Sequence, residues 1–125
     1  MKQREIKFRH FDAEDGHFDY FTLADIDGDG MFPTKRGRAR LSHYADELDE
    51  YTGLNDRNGK AIFDGDIVQG SEPWKTGPCV VEYRGSGFCK VGEIAGAIRS
   101  APLQAGNAYF EIIGNIHEHP DLLKP

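Results

Sequence analysis

Apolar and polar residues alternate in several short runs of this chain, which is the pattern of β-strands that bury one face. In the range Arg4–Phe11, the apolar residues Ile6 and Phe8 alternate with charged residues, and Phe18–Leu23 repeats the pattern more strongly. The polar segment between these runs contains Gly16, whose backbone freedom suits a turn. The pattern therefore predicts a β-hairpin near the start of the chain.

The segment Tyr51–Val68 predicts a turn, a short strand, a second turn and another strand. Asn58 and Gly59 are the pair that most favours a tight turn between antiparallel strands, because both residues accept positive φ angles. Asp56 and Asp66 are placed to accept hydrogen bonds from the backbone amides of these turns. We therefore interpret the glycines and aspartates of this segment as turn-forming residues.

Strand patterns continue towards the end of the chain. Cys79–Tyr83 and Phe88–Val91 flank a glycine-containing turn and predict a second hairpin. A short strand is predicted around Ile94–Ile98, in a segment rich in small residues, and a further strand at Ala108–Ile116. Pro120 and the three residues after it predict one closing helical turn.

The segment between the first hairpin and Tyr51 has a different pattern. Asp25–Phe32 predicts a loop, because its glycines and aspartates favour turn backbone. Ala39–Glu50 permits a helix, although its basic residues come early and its acidic residues late, which opposes the helix dipole. The apolar residues that recur at helical spacing are Leu41, Tyr44, Ala45 and Leu48.

Three sets of motifs, taken in order, resemble those of a known family. The chain opens with REIKFRHFD, continues with YTGL, an Asn-Gly pair and GDIV within Tyr51–Val68, and later contains EIIGNIHEHPDLL. In this order the motifs resemble the YopX family of bacteriophage and prophage proteins. The chain departs from the family pattern at Phe63-Asp64, where an aromatic residue followed by Glu is more usual, and Asp25–Glu50 matches no family motif.

The resemblance implies a largely β fold with an SH3-like small barrel, no established activity and no catalytic residues to carry over. It also implies that the predicted helix at Ala39–Glu50 can end as a strand that leads into Tyr51. We therefore predict an all-β (mainly β) fold: an SH3-like small barrel with an N-terminal β-hairpin and little helix. The barrel strands are predicted around Ile62–Gln69, Cys79–Tyr83, Phe88–Val91 and Tyr109–Ile116.

Length, composition and charge narrow the class of protein. With 125 residues and 15 glycines, the chain is predicted to be a single domain, 1–125, built from short strands and turns. No apolar run is long enough to cross a bilayer and the amino terminus lacks a secretory signal, so a cytoplasmic location in a bacterial host is expected. Cys79 and Cys89 are then expected to be reduced thiols.

Three groups of residues could hold a metal ion, and a structural role is favoured for each. Asp25–Gly30 copies the opening of a calcium-binding loop, but Arg36 stands where that loop needs a bidentate Glu. His117 and His119 have the spacing of some zinc sites, without an identifiable further ligand. Carboxylates in turns could hold Mg²⁺ for phosphodiester hydrolysis, but no Lys, His or nucleophile accompanies them at a recognisable spacing. These carboxylates are Asp56, Asp64 and Asp66. We predict no metal site, no cofactor and no catalytic residues.

Two features suggest binding to a partner. A basic cluster could contact nucleic acid, with Tyr44 or Trp74 available to stack on a base, but neutralisation by neighbouring acids and the net charge of −6 disfavour this. The basic cluster consists of Lys35, Arg36, Arg38 and Arg40. Trp74, in a loop bounded by prolines, is a candidate contact for a protein partner, and packing back onto the core is an equal alternative.

The sequence therefore predicts a phage- or prophage-derived accessory protein, and a non-enzymatic protein-binding module is the favoured role. The protein partner is unknown, and a second copy of the chain is one candidate, because small β domains have strand edges that must be covered or paired. A nucleic-acid-binding protein that uses the basic cluster is the alternative, and a metal-dependent phosphodiesterase is a weaker one. No membrane partner is expected.

Overall fold

The computed structural model describes residues 6–71, 76–84, 87–94, 97–103 and 109–123. These residues are mainly in antiparallel β-strands, which confirms the predicted fold class. The strands are β1 (Lys7–Asp12), β2 (His17–Thr22), β3 (Met31–Thr34), β4 (Gly37–Arg40), β5 (Leu48–Asn55), β6 (Ala61–Phe63), β7 (Asp66–Gly70), β8 (Cys79–Arg84), β9 (Gly87–Ile94), β10 (Ala97–Pro102) and β11 (Phe110–Asn115). The chain divides into two compact units, unit 1 (Met1–Tyr51) and unit 2 (Thr52–Pro125).

Helical structure is short in the described residues. An α-helix, α1, spans Leu41–Tyr44, and single 3₁₀ turns span Leu23–Asp25, Ala45–Glu47 and Pro120–Leu123. The turn at Pro120–Leu123 confirms the predicted closing turn. None of the helices in the described part of the chain has the length and apolar character needed to cross a membrane.

β1 and β2 form the predicted amino-terminal hairpin of unit 1. The strands pair along their whole length, from Lys7 opposite Thr22 to Asp12 opposite His17. Their turn closes with a hydrogen bond of 2.7 Å from the amide of Gly16 to the carbonyl of Asp12. Gly16 has a φ of 69°, a conformation that side chains with a Cβ rarely adopt.

The predicted helix at Ala39–Glu50 is wrong at both ends, and its helical part is α1 followed by the 3₁₀ turn Ala45–Glu47. β4 continues to Arg40, α1 lasts about one turn, and β5 begins at Leu48. The strand that leads into Tyr51, which the family resemblance implied, is what the chain forms. A single helical turn makes few hydrogen bonds of its own, so the pairing of the first residues of β5 with β1 outweighs a weak helical preference.

Aromatic rings fill the space between the β1–β2 hairpin and the β3–β4 hairpin of unit 1. Phe21 and Phe32 stack with ring centres 4.4 Å apart, and Phe8 packs 5.5 Å from Phe21. Phe32 is fully buried and lies in β3, so the loop predicted at Asp25–Phe32 ends earlier than expected. Burial of the Phe32 ring against Phe21 therefore favours strand structure at the residues where the end of the loop was predicted.

The other face of the β1–β2 hairpin carries a buried ion pair. Arg9 and Asp49 are only 4% and 7% exposed, and the Nε of Arg9 donates a hydrogen bond of 2.9 Å to the carboxylate. The guanidinium also lies 4.3 Å from the ring centre of Phe18. Arg9 and Asp49 are directly opposite each other in the β1–β5 pairing, so strand register determines the ion pair.

Five strands of unit 2 form an antiparallel sheet in the order β10, β9, β8, β7, β11. The β8–β9 hairpin confirms the prediction at Cys79–Tyr83 and Phe88–Val91, and β11 confirms the strand predicted within Ala108–Ile116. The strand predicted around Ile94–Ile98 is misplaced, because β9 extends to its first residue and β10 occupies Ala97–Pro102. Small residues give this segment little alternation, and so the sequence pattern could not locate the strand ends.

The core of unit 2 is largely aliphatic. Its buried cluster comprises Ile62, Val68, Cys79, Val81, Leu103 and Phe110. Lys90 is 4% exposed, and its ammonium group donates to the carbonyl of Pro102 at 2.9 Å and lies 4.6 Å from the ring centre of Phe110. Burial lowers the pKa of Lys90 and raises the pKa of the Cys79 thiol. Cys79 and Cys89 are free thiols, and a raised pKa favours a structural role for Cys79.

β6, β7 and the turn before each of them follow the order predicted for Tyr51–Val68, but the segment begins in β5, so Gly53 lies in a strand and not in a turn. Asp56 is 6% exposed, and its carboxylate accepts hydrogen bonds of 2.9–3.0 Å from three backbone amides, those of Asn58, Lys60 and Ile112. Asp66 accepts a hydrogen bond of 2.8 Å from the amide of Phe63. The backbone role predicted for both aspartates is thus confirmed, whereas the single-domain organisation and the SH3-like barrel stay predictions.

Candidate functional site

A cleft of about 410 Å³ opens in unit 1 beside the basic cluster. Residues from β1, β2, β3, β4 and α1 line it, together with the turn between β3 and β4. The lining residues that carry its chemistry are His10, Arg36, Arg38, Arg40, His43 and Tyr44. The structure therefore brings three of the five predicted partner-binding residues into one cleft.

Local structure explains how the arginines reach the cleft. Arg38 and Arg40 are two residues apart in β4, so they project from the same face of the strand. Arg36 lies in the turn before β4, which closes when the hydroxyl of Thr34 donates to the carbonyl of Gly37 at 3.0 Å. Gly37 has a φ of 128°, which favours glycine at the end of this turn.

Arg36 is paired with three acidic residues of the β1–β2 turn. Its guanidinium lies 2.7 Å from the carboxylate of Asp12, 2.9 Å from that of Asp15 and 3.1 Å from that of Glu14. Desolvation acts to lower the pKa of Arg36, but the neighbouring carboxylates outweigh it and raise that pKa. Its charge is therefore neutralised within the molecule, as the sequence indicated for the basic cluster.

Asp12 shows the complementary effect. Desolvation acts to raise the pKa of Asp12, but the hydrogen bond from the amide of Asp15 and the charge of Arg36 outweigh it and lower that pKa. The carboxylate also accepts a hydrogen bond of 3.0 Å from the amide of Glu14. Asp12 thus fixes both the β1–β2 turn and the orientation of Arg36.

Arg38 is held in place by the loop before β3. Its Nε donates to the carboxylate of Asp27 at 2.9 Å, and its terminal nitrogen donates to the carbonyls of Asp25 and Met31 at 2.9 and 3.0 Å. The hydrogen bond from the amide of Met31 to Asp27 is the largest cause that lowers the pKa of Asp27, and Arg38 adds to it. Arg38 therefore stabilises this loop and has little freedom to bind a partner.

The remaining two members of the basic cluster are less engaged. Within the described residues, the guanidinium of Arg40 has one contact, a 3.5 Å approach to the carbonyl of Asp29. Lys35 is exposed, and its backbone amide donates to the carboxylate of Asp19 at 2.9 Å. Of the three arginines in the cleft, Arg40 is the one without a carboxylate partner in the part of the chain that the structure describes.

Three aromatic side chains, those of His10, His43 and Tyr44, line the same cleft as Arg40. The rings of His10 and Tyr44 meet edge to face at 4.7 Å, and those of His43 and Tyr44 lie 6.5 Å apart. The Nδ1 of His10 is buried, and no described residue forms a hydrogen bond with it. Sequence patterns indicated Tyr44 as a stacking residue but did not associate His10 with this site. The signal was its position two residues after Phe8, which places both side chains on the same face of β1.

The acidic loop at Asp25–Gly30 uses its carboxylates for its own backbone. Asp25 accepts hydrogen bonds from the amide and hydroxyl of Thr22 at 2.8 and 3.2 Å. Asp27 accepts from the amides of Asp29 and Met31 at 2.9 and 3.1 Å. These hydrogen bonds support the turn explanation over the calcium-loop alternative.

Among the described residues, the group of acidic and histidine side chains close enough to share a metal ion is Asp12, Asp15 and His17. Arg36 already bridges Asp12 and Asp15, so a cation would have to compete with a guanidinium. His119 accepts a 3.3 Å hydrogen bond from the amide of Asn115 through its Nδ1, which gives it a structural contact. No further ligand for His117 and His119 is found in the described part of the chain.

Two other predicted features lie elsewhere. Trp74 falls outside the described residues. Asp56 and Asp66 are two of the three carboxylates named for the phosphodiesterase alternative. Both are buried and accept hydrogen bonds from backbone amides. That use of their oxygens favours a turn-forming role over metal chemistry.

The fold and the cleft define a small, mainly β protein with short antiparallel strands and an ion-paired, aromatic cleft. The family model described as YopX protein matches residues 7–124, so the chain belongs to the YopX family. This match confirms the family resemblance of the sequence motifs. Origin from a phage stays a prediction.

Similarity to individual proteins adds information on the fold alone. No curated protein matches the chain. The crystal structure of protein EF1440 from Enterococcus faecalis is similar, with a TM-score of 0.55 and 20% identity, and the match covers 95% of this chain and 98% of that chain. At this identity the two proteins share an overall fold, and no activity follows from the likeness.

Proposed function

We propose that this YopX-family chain is a non-enzymatic accessory protein of phage or prophage origin that works by binding a protein partner. The strand proposed to make the contact is β10, at one edge of the five-stranded sheet. One observation carries the proposal: four consecutive residues of this strand, Ala97, Ile98, Arg99 and Ser100, are exposed, and Ile98 is 78% exposed. The phage origin rests on the family resemblance.

Backbone chemistry supports a contact at this edge. β10 pairs with β9 over six residue pairs, from Ala97 opposite Ile94 to Pro102 opposite Cys89. Within the described residues no strand pairs with its other side, so outward backbone amides and carbonyls remain for an added strand. An extended peptide that adds to a sheet edge gains affinity from backbone hydrogen bonds and specificity from alternate side chains.

The exposed side chains of β10 indicate the chemistry of the partner. Arg99 has no acidic partner in the part of the chain that is described, and Ile98 next to it is apolar. These two residues project to opposite faces of the sheet, because side chains alternate along a strand. The proposed occupant is therefore an extended segment of another protein that places an acidic residue beside Arg99 and an apolar residue beside Ile98.

Site-specific cross-linking followed by peptide binding tests this proposal. A photoreactive residue replaces Ile98 in the full chain in bacterial cells, and the same residue at Tyr20, which is 58% exposed in unit 1, is the control. We expect one protein to be cross-linked at position 98 and not at position 20. A synthetic peptide that contains the cross-linked segment should bind the purified chain, about tenfold more weakly after Arg99→Glu, because a favourable charge contact becomes repulsive.

The matched control for the charge change is Lys60→Glu, in an exposed turn of unit 2. This variant should bind the peptide like the unchanged chain. Equal cross-linking at both positions, or a peptide affinity that Arg99→Glu leaves unchanged, would show that β10 is not the contact. Cross-links that join only copies of this chain would replace the proposed partner with self-association.

Nucleic-acid binding is the second candidate, and one observation favours it: Arg40 and Tyr44 lie together in the cleft. The ion pairs of Arg36 and Arg38 weigh against it, because these two cations are already neutralised by carboxylates. The net charge of −6 adds long-range repulsion of a polyanion. The salt dependence of binding to short oligonucleotides distinguishes this candidate from protein binding.

A further inference from the structure

We propose that the cleft of unit 1 binds a small anionic molecule that carries a planar ring. The anionic group would pair with Arg40, and the ring would pack against Tyr44 and His10. This site is separate from the protein contact proposed for β10, and each proposal stands or fails without the other.

The unused donors of the cleft favour an anion. Arg36 and Arg38 are held by carboxylates. Among the described residues, Arg40 is therefore the arginine of the cleft whose guanidinium can donate to a new partner. The hydroxyl of Tyr44 makes no hydrogen bond within the described residues, and His43 is exposed. A planar guanidinium offers paired donors that match the two oxygens of a carboxylate or phosphate.

A buried nitrogen supports a ligand at the same place. Buried polar atoms in proteins nearly always have a hydrogen-bond partner, yet the Nδ1 of His10 has none among the residues that the structure describes. The ring of His10 lines the cleft and touches that of Tyr44. This nitrogen has almost no accessible surface, so the ring of His10 would have to rotate before a polar atom of a bound molecule could pair with it, as donor or acceptor according to the tautomer.

The walls and the size of the cleft favour a small ring over a polymer. Met31 and Ala39 contribute apolar surface, and the rings of Tyr44 and His10 contribute edges and faces for a planar group. Cavities of about 300–1,000 Å³ typically hold small molecules, and the cleft of about 410 Å³ lies within that range. The net charge of −6 would also repel the repeated negative charges of a polymer more strongly than the single charge of a small anion.

Titration of the purified full chain, followed by two-dimensional NMR, tests the proposal. The probes are benzoate, phenyl phosphate and the neutral benzamide. We expect saturable shifts for amides around Arg40 and Tyr44 with the anionic probes, and about tenfold weaker binding of benzamide. The stronger of the two anions identifies carboxylate or phosphate as the natural anionic group.

A matched pair of variants locates the site. Arg40→Gln should weaken binding of the anionic probe about tenfold, because the charge-assisted pair is lost. Lys35→Gln removes one charge from the same basic cluster outside the cleft lining and should leave the affinity unchanged. Both side chains are exposed, so neither change should disturb folding, and the amide spectrum of each free variant checks this.

Three results would overturn the proposal. The first is an absence of saturable shifts at millimolar anionic probe, and the second is equal binding of benzamide and benzoate. The third is an Arg40-dependent affinity for a short single-stranded oligonucleotide that exceeds the affinity for both small anions. That third result would assign the cleft to nucleic acid.

Discussion

The two units of this protein have small cores that are built from different kinds of side chain. Unit 1 packs aromatic rings between two hairpins and buries an ion pair between Arg9 and Asp49. Unit 2 buries aliphatic side chains, with Ile62, Val68 and Val81 fully inaccessible. Unit 1 thus depends on charged and aromatic partners that must all be present, whereas unit 2 depends on the burial of apolar area.

This difference bears on where binding chemistry can occur. Unit 1 contains charged groups in a cleft, and Arg40 differs from Arg36 and Arg38 there because it has no carboxylate partner among the described residues. Unit 2 uses its buried charged groups, Asp56, Asp66 and Lys90, for hydrogen bonds to its own backbone, and leaves a strand edge exposed. The ligand site proposed for unit 1 and the strand-edge contact proposed for unit 2 depend on these two differences.

The largest expected effect is on the buried ion pair of unit 1. Asp49→Ala leaves Arg9 buried without its carboxylate and should lower the free energy of unfolding by about 3–5 kcal/mol. Amide hydrogen exchange should show the loss of protection in β1, β2 and the start of β5. The exposed Asp46→Ala should stay within about 0.5 kcal/mol of the unchanged chain. Equal small effects of the two variants would contradict a central role for the pair.

Close packing in unit 2 gives the second effect. A Cβ at Gly92 would lie 2.6 Å from the carbonyl oxygen of Pro78 and 2.8 Å from the Sγ of Cys79. Gly92→Ala should therefore destabilise the protein by about 1–3 kcal/mol in denaturant unfolding. Gly28→Ala is the control in unit 1, because a Cβ there meets nothing within 4 Å. Similar unfolding midpoints for the two variants would contradict the tight contact between β8 and β9.

Acid should affect unit 1 through Asp12 and Asp27, whose pKa values are lowered from an ordinary value of 3.8. A lowered folded-state pKa gives stability that is complete above the ordinary value and is lost as the pH falls through the folded-state pKa. Protection of the β1–β2 and β3–β4 turns should therefore decrease below about pH 4, and Asp27→Asn should remove part of this pH dependence. The effect should be modest because these carboxylates are screened by solvent. An identical acid profile for Asp27→Asn would contradict this assignment.

The smallest effect is expected at a surface ion pair of unit 2. Arg57 lies 2.6 Å from the carboxylate of Glu111, and both side chains are about 40% exposed. Arg57→Ala should reduce the free energy of unfolding by about 0.2–1 kcal/mol, and 1 M salt should remove most of that difference. A loss as large as that for Asp49→Ala would mean that exposure does not separate the two ion pairs.

Local patterns predicted the hairpins because a turn and its flanking alternation lie within a few residues of each other. Gly16, Gly59 and the residues around them could be interpreted without knowing what packed on the strands. The segment Ala39–Glu50 was different, since its helical spacing is a local preference and the β1–β5 pairing that overrides it joins residues about forty apart. His10 was not predicted as a binding residue for a similar reason, because the cleft residues Arg40 and Tyr44 lie far from it in the sequence.

The sequence by itself determined the mainly β class, the family, the turn-forming aspartates and the presence of a basic cluster. These features depend on residue type and on spacing over short stretches of sequence, so they can be predicted without knowing the tertiary contacts. Tertiary structure alone decided that, within the part of the chain that is described, Arg36 and Arg38 pair with carboxylates and Arg40 does not, and that β10 lies at a sheet edge. Both outcomes depend on which distant segments meet in the fold. The residues that pair with a charged side chain or with a strand edge come from other parts of the sequence.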